Sequence, residues 1–343
     1  MAEPLVRLGN LTKNFPVGKS FFGRGRHYVR AVDDCSLEIF PGESFGLVGE
    51  SGSGKSTIGR CILNLISPSS GRIEFAGKTI FDSKEGIHLS YREMLPLRRD
   101  MQVIFQDPTA SLDPRMNIGD IVMEGLKKHR AAEPGEAEKI AGDYLELCGI
   151  SRDLIRRRPG EFSGGQKQRI GIARALALNP RFIVADEPLS ALDVSVQSQI
   201  LNLMSSLKEQ LNLTFLFISH DLRTVEYFCD RIGVLYLGSL AEIGSTGDII
   251  NNPLHPYTRV LFSSVPRDRP GLKPERIQLK GEIPSAVNAP RGCKFHTRCP
   301  YSQELCGVSA PPLEKVGESH FVACRRWREL SQKNGGGKAA AQT

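Results

Sequence analysis

Gly49-Glu50-Ser51-Gly52-Ser53-Gly54-Lys55-Ser56-Thr57 fills every position of the G-x-x-x-x-G-K-[ST] loop. Its flanks supply the setting such a loop needs: Ser44–Val48 is a short apolar run that reads as a buried strand, and Thr57–Leu63 reads as a helix whose N-terminus faces bound phosphate. Glycines let successive backbone N–H groups converge on an anion. Lys55 supplies charge for the β- and γ-phosphates, and Ser56 offers a hydroxyl to Mg²⁺. A glycine-rich surface turn would lack the strand before and the helix after, so the phosphates of a nucleotide are the expected ligand.

The 343 residues are 40% hydrophobic and 24% charged, which suits a globular chain with a large core and a second module. No apolar run approaches the ~20 residues of a spanning helix, and Met1-Ala2-Glu3-Pro4 lacks the layout of a secretory signal, so a cytosolic location is expected. The net charge of +7 is spread, with local concentrations at Arg24–Arg30, Arg156–Arg158 and Arg325–Arg328. These read as solvated faces first and as attraction to an anionic membrane surface or acidic partner second. Aromatics are only 7%, against the interleaving that single-strand binding wants, and no nucleic-acid partner is expected.

From Leu5 to Phe40 the sequence alternates in strand fashion around a Gly/Arg-rich stretch at 18–30, which predicts a hairpin with a long loop. Gly71–Lys78 alternates again, and Met101–Gln106 reads as a strand. Between about 107 and 162 apolar residues recur at helical spacing (Ile118, Ile121, Val122; then Ile140, Tyr144, Leu147), predicting a helical insertion. Phe182–Ala185 and Phe215–Ile218 are continuous apolar runs of the kind found in parallel strands covered on both faces, with a helical period over Val196–Leu211 between them. The alternation predicts an open α/β sheet with ligands at the strand C-termini. Past Asn251 the chain turns Pro- and Gly-rich, placing a domain boundary there: 1–250, then 251–330, then a low-complexity tail at 331–343 expected to be disordered.

Around the loop stand Gln106, Ser163-Gly164-Gly165-Gln166 opening a helix, Asp186-Glu187 ending an apolar strand, Ser190-Ala191-Leu192-Asp193, and His220 ending the next strand. Position by position, this ordered set resembles the ATP-binding-cassette family over about Leu5–Gly247. The resemblance implies a P-loop NTPase core with an antiparallel β subdomain and the helical insertion, binding ATP and Mg²⁺. Gly49 to Thr57 and Gln106 would bind ATP, and Lys55 would offset charge on the transferring group. Asp186, Ser56 and Gln106 would hold Mg²⁺, whose preference is for oxygen ligands. Glu187 is the candidate base for the attacking water, and His220 resembles the switch histidine on the γ-phosphate. Phe15 resembles the aromatic that stacks on adenine, with Tyr28 its rival. Ser163–Gln166 resembles the signature segment, which serves the ATP of a second cassette, and Asp193 lies in the D-loop. Gln106 and the insertion resemble the segment that carries nucleotide state to a membrane subunit, with Ser111–Arg115 in the contact region.

Beyond the cassette, His255-Pro256-Tyr257-Thr258, Gly281–Ser285 and Pro290–Phe295 resemble the C-terminal extension of oligopeptide and dipeptide importer ATPases, the F-type subunit most of all. The resemblance implies a heterodimer with a second ATPase subunit, two permease subunits, an extracytoplasmic peptide-binding protein acting indirectly, and a place on the cytoplasmic face of the inner membrane. Importers of nickel, glutathione or sugars are alternatives, and a soluble cassette ATPase serving repair or translation is the more distant rival. Such rivals often carry two cassettes or a long coiled-coil insertion, and this chain shows neither. Cys293, Cys299, Cys306 and Cys324, spaced x5, x6 and x17, suffice to ligate one metal centre in a small Cys-rich domain. Zinc usually shows paired C-x₂₋₄-C ligands, absent here, whereas iron–sulfur clusters accept looser spacing. With the family's resemblance, a [4Fe–4S] cluster is expected before zinc, and zinc before free thiols.

Overall fold

The structure is a computed structural model that describes residues 3–17, 27–263, 279 and 281–335. The N-terminal hairpin is β1 (Val6–Val17) and β2 (His27–Ile39), followed by β3 (Ser44–Val48) and α1 (Lys55–Ile62). Next come β4 (Ser70–Phe75), β5 (Lys78–Asp82), β6 (Ile87–His88), α2 (Tyr91–Asp100) and β7 (Met101–Ile104). The expected helical insertion holds α3 (Ile118–His129) and α4 (Pro134–Leu147), and leads into α5 (Gly164–Leu176). Strand and helix then alternate through β8 (Phe182–Asp186), α6 (Val194–Leu211), β9 (Thr214–Ile218), α7 (Leu222–Phe228), β10 (Arg231–Tyr236), β11 (Ser239–Ser245) and α8 (Thr246–Asn251). The C-terminal region carries α9 (Pro256–Ser263), α10 (Glu304–Val308), β12 (Glu314–Lys315), β13 (Phe321–Val322) and α11 (Trp327–Gly335).

Two sheets organise the chain. One is antiparallel, in the order β2-β1-β4-β5-β6; the other runs β12-β13-β11-β10-β3-β9-β8-β7. In the second, β10, β3, β9, β8 and β7 are mutually parallel, whereas β11 and β13 add antiparallel at the far side. Every residue of β3, β8 and β9 is buried, which is why these segments read as unbroken apolar runs. One face packs on α1 and the antiparallel sheet through Ile58, Ile62, Phe75, Phe182 and Leu216. The other face packs on the helical insertion, α5 and α6, and reaches Tyr257 and Phe295 of the C-terminal region.

Three features add to the pattern read from the sequence. Gly71–Lys78 is not one strand: it is interrupted after Phe75 by a two-residue turn in which Ala76 (φ 49°) and Gly77 (φ 77°) both adopt left-handed backbone. The composition change at 251 is not a break in packing, because β13 pairs with β11 at Glu242↔Val322 and Ile243↔Phe321, and Ala323 N–H donates to Ala241 O at 2.8 Å. Helix α11 runs to Gly335, into the stretch read from composition as tail, and is anchored through Leu330, which is 2% exposed. Residues 18–26 of the long hairpin loop and 336–343 of the tail lie outside the described residues.

Candidate functional site

The loop between β3 and α1 is fixed by backbone geometry that side chains would forbid. Gly49 has φ 151° and Gly54 φ 105°; a Cβ at Gly49 would fall 2.1 Å from Leu235 O, and one at Gly54 would fall 2.1 Å from Ala31 O. The loop is thus wedged between the end of β10 and the middle of β2. Lys55, the first residue of α1, donates from Nζ to Gly49 O at 2.8 Å and Glu50 O at 3.1 Å. Burial lowers its pKa, while Glu187, Asp186 and Glu50 act in the opposite direction.

Neighbouring parallel strands bring the acidic residues to the same end of the sheet. Ser56 Oγ donates to Asp186 Oδ1 at 2.7 Å, so a hydroxyl and a carboxylate stand together beside the loop. Both are hard oxygen donors, and the set fits Mg²⁺. Arg60 Nη2 lies 4.0 Å from Asp186 Oδ2, a partner not anticipated from the sequence. Glu187 follows at φ 48°, a left-handed conformation uncommon for a non-glycine residue and characteristic of constrained sites. Its N–H donates to Ile218 O at 2.9 Å, which extends the β8–β9 pairing by one residue. Gln106 Nε2 donates to Glu187 Oε2 at 3.2 Å, and His220 Nδ1 lies 3.2 Å from the same oxygen. Ser56 with Asp186, and Gln106 and His220 with Glu187, are thus two contact groups joined by the consecutive residues 186 and 187, with Lys55 on the loop beside Ser56.

Other candidates lie elsewhere. Ser163 caps α5 by a reciprocal box, its Oγ accepting from Gln166 N–H at 3.3 Å and Gln166 Oε1 accepting from Ser163 N–H at 2.9 Å. Ser163, Gly164 and Gln166 are exposed, and among the described residues no hydrogen bond joins 163–166 to 49–57. Asp193 precedes α6, exposed beside Val194, which is 79% exposed. Phe15 is half-buried on β1 opposite Val29, with Lys13 Nζ 5.0 Å from its ring centroid, and Tyr28 is the more exposed of the two rival aromatics. In the 107–117 connection Arg174 donates to Ser111 O at 2.6 Å and lies over the exposed Phe105 ring.

Among the described residues the four C-terminal cysteines form no disulfide, and they line one largely apolar cavity with His255, Phe295 and Tyr301. Burial pushes the thiols of Cys293, Cys299 and Cys324 up to about 11. Among the described residues no three His, Cys, Asp or Glu side chains stand in a metal-holding arrangement, so the expected [4Fe–4S] cluster gains no support from ligand geometry.

No signal in the sequence marks that the C-terminal region reaches the nucleotide loop. Glu50 N–H donates to Tyr257 Oη at 3.0 Å, and the Glu50 carboxylate accepts from Arg298 Nη1 at 3.0 and 3.2 Å. The His-Pro-Tyr-Thr stretch that marks this contact carries no sign of what its tyrosine touches. Among the described residues no helix is long and apolar enough to cross a membrane.

The ABC transporter family model matches residues 32–190, and the model of the oligopeptide/dipeptide transporter C-terminal region matches 241–306. The chain is 48% identical to the putative oligopeptide transport ATP-binding protein YkfD of Bacillus subtilis, covering 96% of this chain and 98% of that protein. It is 47% identical to the oligopeptide transport ATP-binding protein AppF of the same organism, over 94% and 97%. Among solved structures, the ATP-binding cassette MJ0796, dimeric and post-hydrolysis with ADP and Pi, superposes with a TM-score of 0.61 at 30% identity, over 70% of this chain and 98% of that one.

Proposed function

The chain belongs to the ABC transporter family and carries the C-terminal region of its oligopeptide/dipeptide members, and from that premise we infer that it is the ATP-hydrolysing subunit of a di-/oligopeptide importer. The observation that carries the reading is the convergence of Gln106 and His220 on one oxygen of Glu187, directly beyond the Ser56–Asp186 pair.

In this reading Gly49–Thr57 cradle the phosphates, and Ser56, Asp186 and Gln106 would hold Mg²⁺, which would supply positive charge against the phosphates. Glu187 orients the attacking water and accepts its proton; Gln106 and His220 hold the carboxylate in place. Lys55 offsets charge on the transferring phosphoryl group. Phe15 stacks on adenine, with Tyr28 as the alternative. Ser163–Gln166, exposed and unconnected to the chain's own loop, serve the ATP of a facing cassette, and Asp193 borders that contact. The dimeric state of MJ0796 supports this pairing.

The partners proposed are a second cassette subunit, two permeases reached through the surface that follows Gln106, and a peptide-binding protein acting through them. The location is the cytoplasmic face of the membrane, and the chain is of the F type, as its identity with AppF supports. The proposed division is a cassette at 1–250, with its helical part at about 107–162, and an extension at 251–330. A metal centre at the four cysteines, iron–sulfur before zinc, is proposed from their spacing and the family resemblance, with no metal-holding arrangement among the described residues behind it. Anaerobic purification with iron and sulfide analysis tests it; colourless protein, with or without zinc, removes the cluster.

Co-purification tests the function itself. An intact complex with two membrane-spanning proteins, whose ATPase rises with peptide-loaded binding protein, is expected. Recovery with nucleic acid and no membrane protein would overturn it.

A further inference from the structure

Glu50 is an acidic residue inside a loop built to hold anions, and the C-terminal region takes hold of it at two points. Tyr257 Oη accepts from its backbone N–H at 3.0 Å, and Arg298 Nη1 donates to both carboxylate oxygens, at 3.0 and 3.2 Å. Arg298 also donates to Tyr236 Oη at 3.4 Å. Tyr236, Tyr257 and Phe295 pack as a triad of rings with centroids 4.6 to 5.4 Å apart, filling the space between the loop and the C-terminal region. Tyr257 is 1% exposed and Arg298 7% exposed.

Neither residue is free to drift. Glu242 on β11, fully buried, accepts from Leu254 N–H at 2.7 Å and His255 N–H at 2.9 Å, and meets His320 Nε2 at 2.7 Å. That carboxylate fixes the start of α9, and Tyr257 is the second residue of the helix. Arg298 leaves its Nε buried without a partner among the described residues, and the desolvation of its guanidinium is offset by Tyr236 Oη and the Glu50 carboxylate.

An unpaired carboxylate beside a triphosphate would repel it, most strongly where protein excludes water. A buried guanidinium locked on that carboxylate cancels the repulsion. A hydroxyl on the adjacent N–H fixes the loop's entrance before nucleotide arrives.

We propose that Tyr257 and Arg298 are positioning residues of the ATP site, presetting the phosphate-binding loop through Glu50, with Arg298 also neutralising the charge that Glu50 brings to an anion site. The C-terminal region is thereby coupled to nucleotide affinity. The proposal rests on the reading of 49–57 as a nucleotide site.

The test uses the full chain and measures MgADP affinity, with steady-state ATPase of the assembled complex alongside. Arg298→Met should weaken MgADP about tenfold, equivalent to about 1.4 kcal/mol, and raise KM with little change in kcat, because the loop grips ground and transition states alike. Adding Glu50→Gln to Arg298→Met should return affinity to within about threefold of wild type, since the repelling charge is gone while the lost packing is not. A merely structural arginine would not be rescued by that change. Tyr257→Phe deletes one oxygen, keeps the ring, and should weaken MgADP roughly threefold.

Unchanged affinity in both Arg298→Met and Tyr257→Phe, or a double variant as weak as Arg298→Met, overturns the proposal. Should Arg298→Met not fold, Tyr257→Phe and Arg298→Gln, the latter alone and with Glu50→Gln, carry the same two comparisons. Failure of the wild-type chain to bind MgADP would instead sink the nucleotide reading itself.

Discussion

His220 Nδ1 lies 3.2 Å from Glu187 Oε2, the oxygen that also receives the Gln106 amide at 3.2 Å. Both partners thus engage one side of the carboxylate, and they come from the ends of different strands. A carboxylate held this way keeps its orientation even though its own backbone sits in an uncommon conformation.

Glu187→Gln retains the shape of the side chain and loses its capacity to take a proton. Turnover is expected to fall by about 10²- to 10⁴-fold, with ATP affinity close to that of the parent. Single-turnover hydrolysis beside equilibrium nucleotide binding checks this; near-normal turnover would remove Glu187 from the role of base.

Gly164→Asp probes the exposed face of α5. A Cβ there meets Leu192 at an ordinary 3.5 Å, and an acid in the first turn of a helix is favourable, so the chain should fold with undiminished stability. MgADP affinity of the isolated chain should also persist, because this face does not touch its own loop. ATPase of the assembled pair should drop by about 100-fold or more, since the new carboxylate would face the partner's phosphates. A pair with full activity would show that the segment serves no nucleotide.

Gly54→Ala places a methyl group 2.1 Å from Ala31 O at φ 105°. The loop must shift, at a cost on the order of 1–3 kcal/mol in stability and with at least about tenfold weaker nucleotide binding. Calorimetry and binding on one preparation check both, and parent-like values in each would contradict the wedge between β2 and β10.

Burial pushes the His255 imidazole down to about 4 from its ordinary 6.5, with Glu242 raising it and Arg259 lowering it further. The folded state holds the ring neutral, its Nδ1 accepting from Tyr257 N–H, while the unfolded chain takes up a proton below 6.5. Stability from this group is therefore complete above pH 6.5 and is lost as pH falls from 6.5 toward 4. The full loss is on the order of 3 kcal/mol. His255→Asn, which offers an acceptor without titrating, should lose less stability between neutral pH and the low end of that window; equal losses in denaturant titrations would exclude His255.

The cassette's chemistry was legible because it is written in local order. The loop 49–57, the apolar strands and the capped helix at Ser163 each need only neighbouring residues to be recognised. Ala76 in a left-handed turn leaves no mark in the sequence, since alanine rarely adopts that conformation, and the strand pair β4–β5 was merged for that reason. Compositional change at 251 signals less regular chain, and carries no information on what the later residues touch. The Tyr257 and Arg298 contacts join positions 207 and 248 residues away from Glu50, and nothing short of the folded arrangement records them. Arg60 was missed because a basic residue near the end of α1 reads as ordinary helix charge.

The strand pairing at Ala241–Ile243 bears on how copies of this chain meet one another. Without residues 321–323, β11 would be the open margin of the large sheet, with main-chain groups ready to template a strand from another molecule. The short β12–β13 hairpin occupies that margin. The open margin is then the two-residue β12, too short to template a stable pairing, and loss of the residues after 250 would expose the longer β11 in its place.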